Sequence, residues 1–139
     1  MFERILVADD GSDGAAKAVG VAIELARTLA VDLNLIFVEE LPQLAASIDE
    51  LVEEKEEGNH RYARIVERAS ARATAQGVKL TTRSVVGHPV TAIADAVARG
   101  RYDLLVIGYM GHSALYNRLI GSTTDRLVEH APSAVLVVK

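Results

Sequence analysis

Five short apolar runs, separated by segments of helical period, constrain this chain more than any other feature. Ile5-Leu6-Val7-Ala8 ends at Asp9-Asp10-Gly11-Ser12, and residues 33–38 end at Glu39-Glu40 and Pro42, where a central strand must stop pairing. Residues 104–107 form the most continuously apolar run, and residues 134–138 form the last. Runs this short and continuous read as strands buried on both faces, the mark of a parallel sheet. Residues 80–86 differ: they alternate and carry Thr81 and Thr82, which predicts a strand less completely buried and near an edge.

The intervening segments have the period of helices. Over residues 13–30, Val19, Ala22, Ile23, Ala26 and Leu29 recur at helical spacing, with Ser12 placed as the cap. Ser47-Ile48-Asp49-Glu50 fits a capping box that opens a second helix, and Gln76-Gly77 ends it. Its charges are sorted, acidic early (Asp49, Glu50, Glu53, Glu54, Glu56, Glu57) and basic late (Arg61, Arg64, Arg68, Arg72), which suits the helix dipole and reads as a solvated outer face. Gly58-Asn59 is a candidate interruption. Pro89 suits the first turn of a third helix, whose apolar face is Val90, Ile93, Ala94 and Val97 before Gly100 stops it. A short fourth helix opens at Gly121-Ser122-Thr123, ends near His130 and is broken by Pro132. Parallel neighbours need crossover connections, which are right-handed, so the predicted class is α/β: a five-stranded parallel sheet with helices on both faces.

Composition narrows the function classes. A length of 139 residues predicts one domain spanning 1–139, and a makeup of 50% hydrophobic and 24% charged residues is that of an ordinary globular chain. The formal charge of −4 argues against a nucleic-acid partner, which needs a clustered positive face. With no cysteine there is no disulfide framework and no thiolate metal site. No apolar run approaches the ~20 residues of a membrane-spanning helix, and Met1-Phe2-Glu3-Arg4 leads directly into a strand, so no membrane partner and a cytoplasmic location are expected. His60, His88, His112 and His130 show no ligand spacing and read as surface or capping residues.

Open parallel sheets bind ligands beyond the carboxyl ends of their strands, where the strand order reverses. That rule nominates Asp9 and Asp10, Val38, Gly87, and above all the loop 108–121 with the helix start that follows it. Gly108 and Gly111 allow positive φ and close backbone approach, and Gly121-Ser122-Thr123 offers free N–H groups and hydroxyls suited to phosphate. A plain turn before a helix capped by Ser122 and Asp125 accounts for the same residues. The loop is neither a Walker loop, lacking Lys-Ser or Lys-Thr, nor the dinucleotide fingerprint, which belongs after the first strand. Adjacent residues at a strand end point to opposite faces, so Asp9 and Asp10 are not expected to share acid–base work. Arg118 is a candidate for neutralising a phosphate, or is simply solvated.

Gly108, two residues, Gly111, nine residues, then Gly121-Ser122 resembles the glycine signature of the ATP-binding branch of the universal stress protein family. The opening Arg4-Ile5-Leu6-Val7-Ala8-Asp9-Asp10-Gly11-Ser12 and the closing Pro132-Ser133-Ala134-Val135-Leu136-Val137-Val138 resemble it too, so the likeness spans the chain. Tyr109-Met110 departs from the small and basic residues usual between the first two glycines. The resemblance implies an adenine nucleotide alpha hydrolase-like, Rossmann-like fold with strand order 3-2-1-4-5, which sets Asp10 beside Gly108. It implies ATP or AMP as ligand, with Mg²⁺ as a candidate companion. Asp10 would then contact the adenosine, Val38 would lie against the adenine, Gly108 and Gly111 would admit ribose and phosphates, and Ile107 would be a further binding residue. Gly121, Ser122 and Thr123 would hold phosphate oxygens. The expected function is nucleotide sensing by a homodimer paired through the C-terminal strand, since an exposed apolar edge invites a second copy. A slow ATPase or nucleotidyl-transfer enzyme with Asp10 orienting water, and a dimeric signalling subunit that binds no nucleotide, are the alternatives.

Overall fold

The computed structural model describes residues 1–40, 47–109 and 122–139. In chain order the elements are β1 (Ile5–Ala8), α1 (Asp13–Leu29), β2 (Leu33–Glu39), α2 (Ile48–Ala75), β3 (Leu80–Val86), α3 (Pro89–Gly100), β4 (Leu104–Gly108), α4 (Ser122–His130) and β5 (Ala134–Val138). The strands form one parallel sheet in the order β3-β2-β1-β4-β5, as the resemblance implies. Val7 sits opposite Leu35 on one side and Val106 on the other, so β1 is the centre, and the half-exposed β3 lies at an edge.

Strand side chains alternate between two apolar layers. Ile5, Val7, Leu35, Phe37 and Val106 face α1 and α2, while Leu6, Ile36, Leu105 and Ile107 face α3 and α4. Both faces are therefore covered, which is why these runs show no polar alternation. The face of α1 is built on Ala15, Ala18, Ala22 and Ala26, small residues that let the helix lie close to the sheet. Ser12 caps it as expected, its Oγ accepting from Ala15 N at 3.1 Å.

The third helix ends at Gly100 as expected, with Arg101 at φ 52° as the left-handed residue after it, and a Cβ on Gly100 would collide with the Tyr102 ring. The expectation about a break in the second helix is corrected: Gly58-Asn59 does not interrupt α2, which runs unbroken from Ile48 to Ala75. Gly58 is buried instead against the carboxylate of Glu39, and a Cβ there would overlap it. Glu39 is only 1% exposed. Its Oε2 accepts from Lys55 Nζ at 3.1 Å, while Oε1 has no hydrogen-bond partner among the described residues. A second anchor lies one turn on, where Tyr62 stacks on Phe37 at 5.9 Å and donates its hydroxyl hydrogen to Thr82 Oγ1 at 3.0 Å.

The sign of a Gly58 substitution should therefore depend on Glu39. Gly58→Ala is expected to destabilise the wild type by about 1–3 kcal/mol through overpacking. In a Glu39→Ala background the same change should stabilise by about 1 kcal/mol, the gain in helix propensity. Urea titration of the four proteins checks this; one sign in both backgrounds would show that the glycine is not there to make room for the carboxylate.

Candidate functional site

The strand order reverses between β1 and β4, and a crevice of about 500 Å³ opens there at the carboxyl ends of the strands. It is lined by Asp9, Asp10, Val38, Ile107, Gly108, Ser122 and Thr123 among others, which brings these expected residues together, whereas Gly87, also nominated after β3, is not part of the lining. Gly111, Arg118 and Gly121, with Met110 and His112, lie outside the described residues.

The floor is the turn after β1. Asp9 Oδ1 accepts from Gly11 N and Asp10 Oδ1 from Ser12 N, each at 2.9 Å. Both aspartates line the crevice, and Asp9 N donates to Ile36 O at 3.0 Å, so pairing with β2 continues one residue past Ala8. Gly11 takes φ 86°, the left-handed turn that lets the chain swing into α1. Asp9 is 9% exposed, and burial pushes its pKa above the ordinary 3.8. The Gly11 N–H opposes that shift, the Asp10 charge adds to it, and Arg68 and Arg72 oppose it.

Of the two uses expected for Gly108, positive φ and close backbone approach, the second is the one found: a Cβ would lie 2.8 Å from the carbonyl carbon of Gly14 and 3.1 Å from Ala15 N, so the first turn of α1 rests on this residue. Thr124 Oγ1 donates to Gly108 O at 2.7 Å, and Tyr109 N donates to Val138 O at 2.9 Å. Thr124, which the sequence reading passed over, thus ties the first turn of α4 to β4 and leaves Ser122 and Thr123 exposed beside the crevice. Its burial with Leu127, three residues on, is the helical spacing that could have singled it out.

Sequence reasoning also missed Arg61. The basic half of α2 reads as a solvated face, yet Arg61 is half-buried and lines the crevice, and Arg72 Nη1 donates to Ala16 O of α1 at 2.8 Å. Among the described residues lining the crevice the charged side chains are Asp9, Asp10, Glu40 and Arg61, with no histidine or lysine beside them. His88 instead caps α3, its Nδ1 accepting from Val90 N at 3.2 Å, and His60 and His130 are exposed. No group of three or more metal-ligating side chains occurs among the described residues.

A parallel sheet with covered faces, a crevice at its switch point and a helix N-terminus beside that crevice define a doubly wound α/β protein of the ligand-binding kind. Residues 1–139 match the model of the Universal stress protein family, and the chain belongs to that family. Universal stress protein Rv1636 of Mycobacterium tuberculosis is 34% identical over 143 residues, covering 99% of this chain and 96% of that protein. The structure of universal stress protein UspA from Lactobacillus plantarum superposes with a TM-score of 0.86 at 26% identity, over 99% of this chain and 98% of that one. A universal stress protein crystallised in complex with cAMP superposes with a TM-score of 0.78 at 31% identity, over 99% and 97% of the two chains.

The raised pKa of Asp9 has a measurable consequence. The folded state holds this proton more tightly than the unfolded state, so ionised Asp9 weakens the fold at neutral pH. Asp9→Asn keeps an oxygen for the Gly11 N–H and removes the charge. The variant is expected to exceed the wild type in stability at neutral pH, with the gap closing as the pH falls through the folded pKa towards the ordinary value of 3.8. Urea midpoints measured across that range check the sign; a gap that is flat with pH would refute it.

Proposed function

We propose that residues 1–139 form a single adenine-nucleotide-binding module that works as a homodimer. The observation that carries this reading is the crevice itself. Its volume of about 500 Å³ lies within the usual range for a small-molecule pocket, and its two ends differ in chemistry. Val38 at the β2 end supplies apolar surface for a base, with Ile107 of β4 adding to the apolar lining further along, whereas the exposed Ser122 and Thr123 at the start of α4 supply hydroxyls and N–H groups for phosphate. A 31%-identical relative that binds cAMP supports the same ligand class. Asp10, at the centre, takes the sugar; Gly108, closed against the first turn of α1, lies beneath the ribose and phosphates. Gly111, Gly121 and Arg118 complete the phosphate end in this reading. ATP or AMP is the ligand, with Mg²⁺ accompanying the triphosphate. The role is regulatory: ligand occupancy is the signal.

The dimer forms through β5. This strand lies at the sheet edge, its side chains are half-buried or exposed, and Val128 of the neighbouring α4 is 50% exposed.

Mass spectrometry of nucleotide released from acid-denatured, freshly purified protein tests the ligand. Recovery of ATP, ADP or AMP is expected, and replacing both Ser122 and Thr123 by alanine should weaken AMP binding by about tenfold in calorimetry, the scale of one lost charge-assisted contact. Failure of the wild type to bind ATP, AMP or cAMP at millimolar concentration would end the proposal. Light scattering on the eluting protein tests the assembly: a mass of two chains is expected, and a monomer at high concentration would exclude the β5 dimer.

A further inference from the structure

Arg61 is the one crevice-lining cation among the described residues, and it comes from a helix that the sequence marks as outward-facing. It is half-buried, yet it makes no hydrogen bond or ion pair among the described residues. An arginine held partly out of water without a partner is available to a ligand. Its position is also fixed rather than free. The Lys55–Glu39 ion pair, the fit of Gly58 over that carboxylate and the Tyr62–Phe37 stack fasten α2 to β2 on both sides of Arg61.

These contacts decide which part of the ligand Arg61 meets. Because its neighbour Tyr62 is seated on Phe37 of β2, Arg61 stands at the β2 end of the crevice, with Val38. Ser122 and Thr123 stand at the β4 end. The sheet order 2-1-4 separates the two ends by two strand spacings, ~10 Å, about the distance from a base to its 5′-phosphate. A guanidinium at the base end meets a flat aromatic ring, on which it stacks in plane. We infer that Arg61 is a ligand-contacting residue whose guanidinium packs on the purine, closing the base end of the crevice from the α2 side. This rests on the nucleotide reading above and deepens it: the crevice recognises the base through a residue of α2, and not through strand ends and the β4–α4 connection alone.

The test separates base contact from phosphate contact. Binding of adenosine, AMP and ribose 5-phosphate is measured by calorimetry for the wild type, Arg61→Ala, Arg61→Lys and Arg61→Met. Methionine keeps an apolar stem, so it remains informative if alanine loosens α2, and the urea midpoint of each variant reports on the fold. The expected result is an equal loss for adenosine and AMP, about tenfold in Arg61→Ala and in Arg61→Met, with ribose 5-phosphate unaffected. Lysine should restore little, since an ammonium cannot stack in plane. Unchanged adenosine binding in Arg61→Ala or Arg61→Met, or a loss confined to the phosphorylated ligands, would overturn the assignment while leaving the nucleotide pocket standing. A wild type that binds neither adenosine nor AMP would instead remove the pocket reading, and this one with it.

Discussion

Backbone pairing of β1 with β2 on one side and β4 on the other governs the rest of the molecule. Because all three strands run the same way, every connection between neighbours must cross a face of the sheet, and the helices that make those crossings bury both faces. Parallel pairing also brings the carboxyl ends of the strands to one rim. The chain moves from β1 outward to β3 and then crosses back to β4, so the connections after β1 and β4 leave in opposite directions. The crevice is the space they leave between them, and Asp10 and Gly108 meet there through topology, although nearly a hundred residues apart in sequence.

Much of this was legible before any coordinates. Buried parallel strands advertise themselves as unbroken apolar runs, helices by period, and caps by the geometry of single side chains such as Ser12 and Ser47. The strand order came from the family likeness, since neither pattern nor spacing specifies which strands are neighbours. What escaped the reading was set by tertiary contact. Gly58 looks like a helix breaker until the Glu39 carboxylate is seen beneath it, and the close approach expected at Gly108 does not name its partner until the backbone of α1 is found against it. Thr124 and Arg61 share the same cause: each takes its part in the site from what its helix packs against, which a charge pattern or a loop motif cannot report.

The electrostatics of the crevice follow from the same packing. Among the described residues, three carboxylates, Asp9, Asp10 and Glu40, share its lining with one guanidinium. Two of the three are occupied by backbone N–H groups of the β1–α1 turn, which spreads their charge into the protein and leaves them as ordered acceptors. Among the described residues, positive potential in the lining comes from its ends, from the N-terminus of α4 and from Arg61 of α2, with no lysine or histidine between them.

The contact between Gly108 and the first turn of α1 carries a consequence for how the crevice responds to an occupant. With the carbonyl carbon of Gly14 so close that a methyl group on Gly108 would not fit, and with Thr124 and Val138 bonded to the residues at the end of β4, this side of the crevice is held by α1, α4 and β5 together. A molecule that settles on it meets a surface already shaped, so little of its binding free energy goes into remodelling the strand ends. Shape held in advance favours an occupant that already matches it over one that must be accommodated.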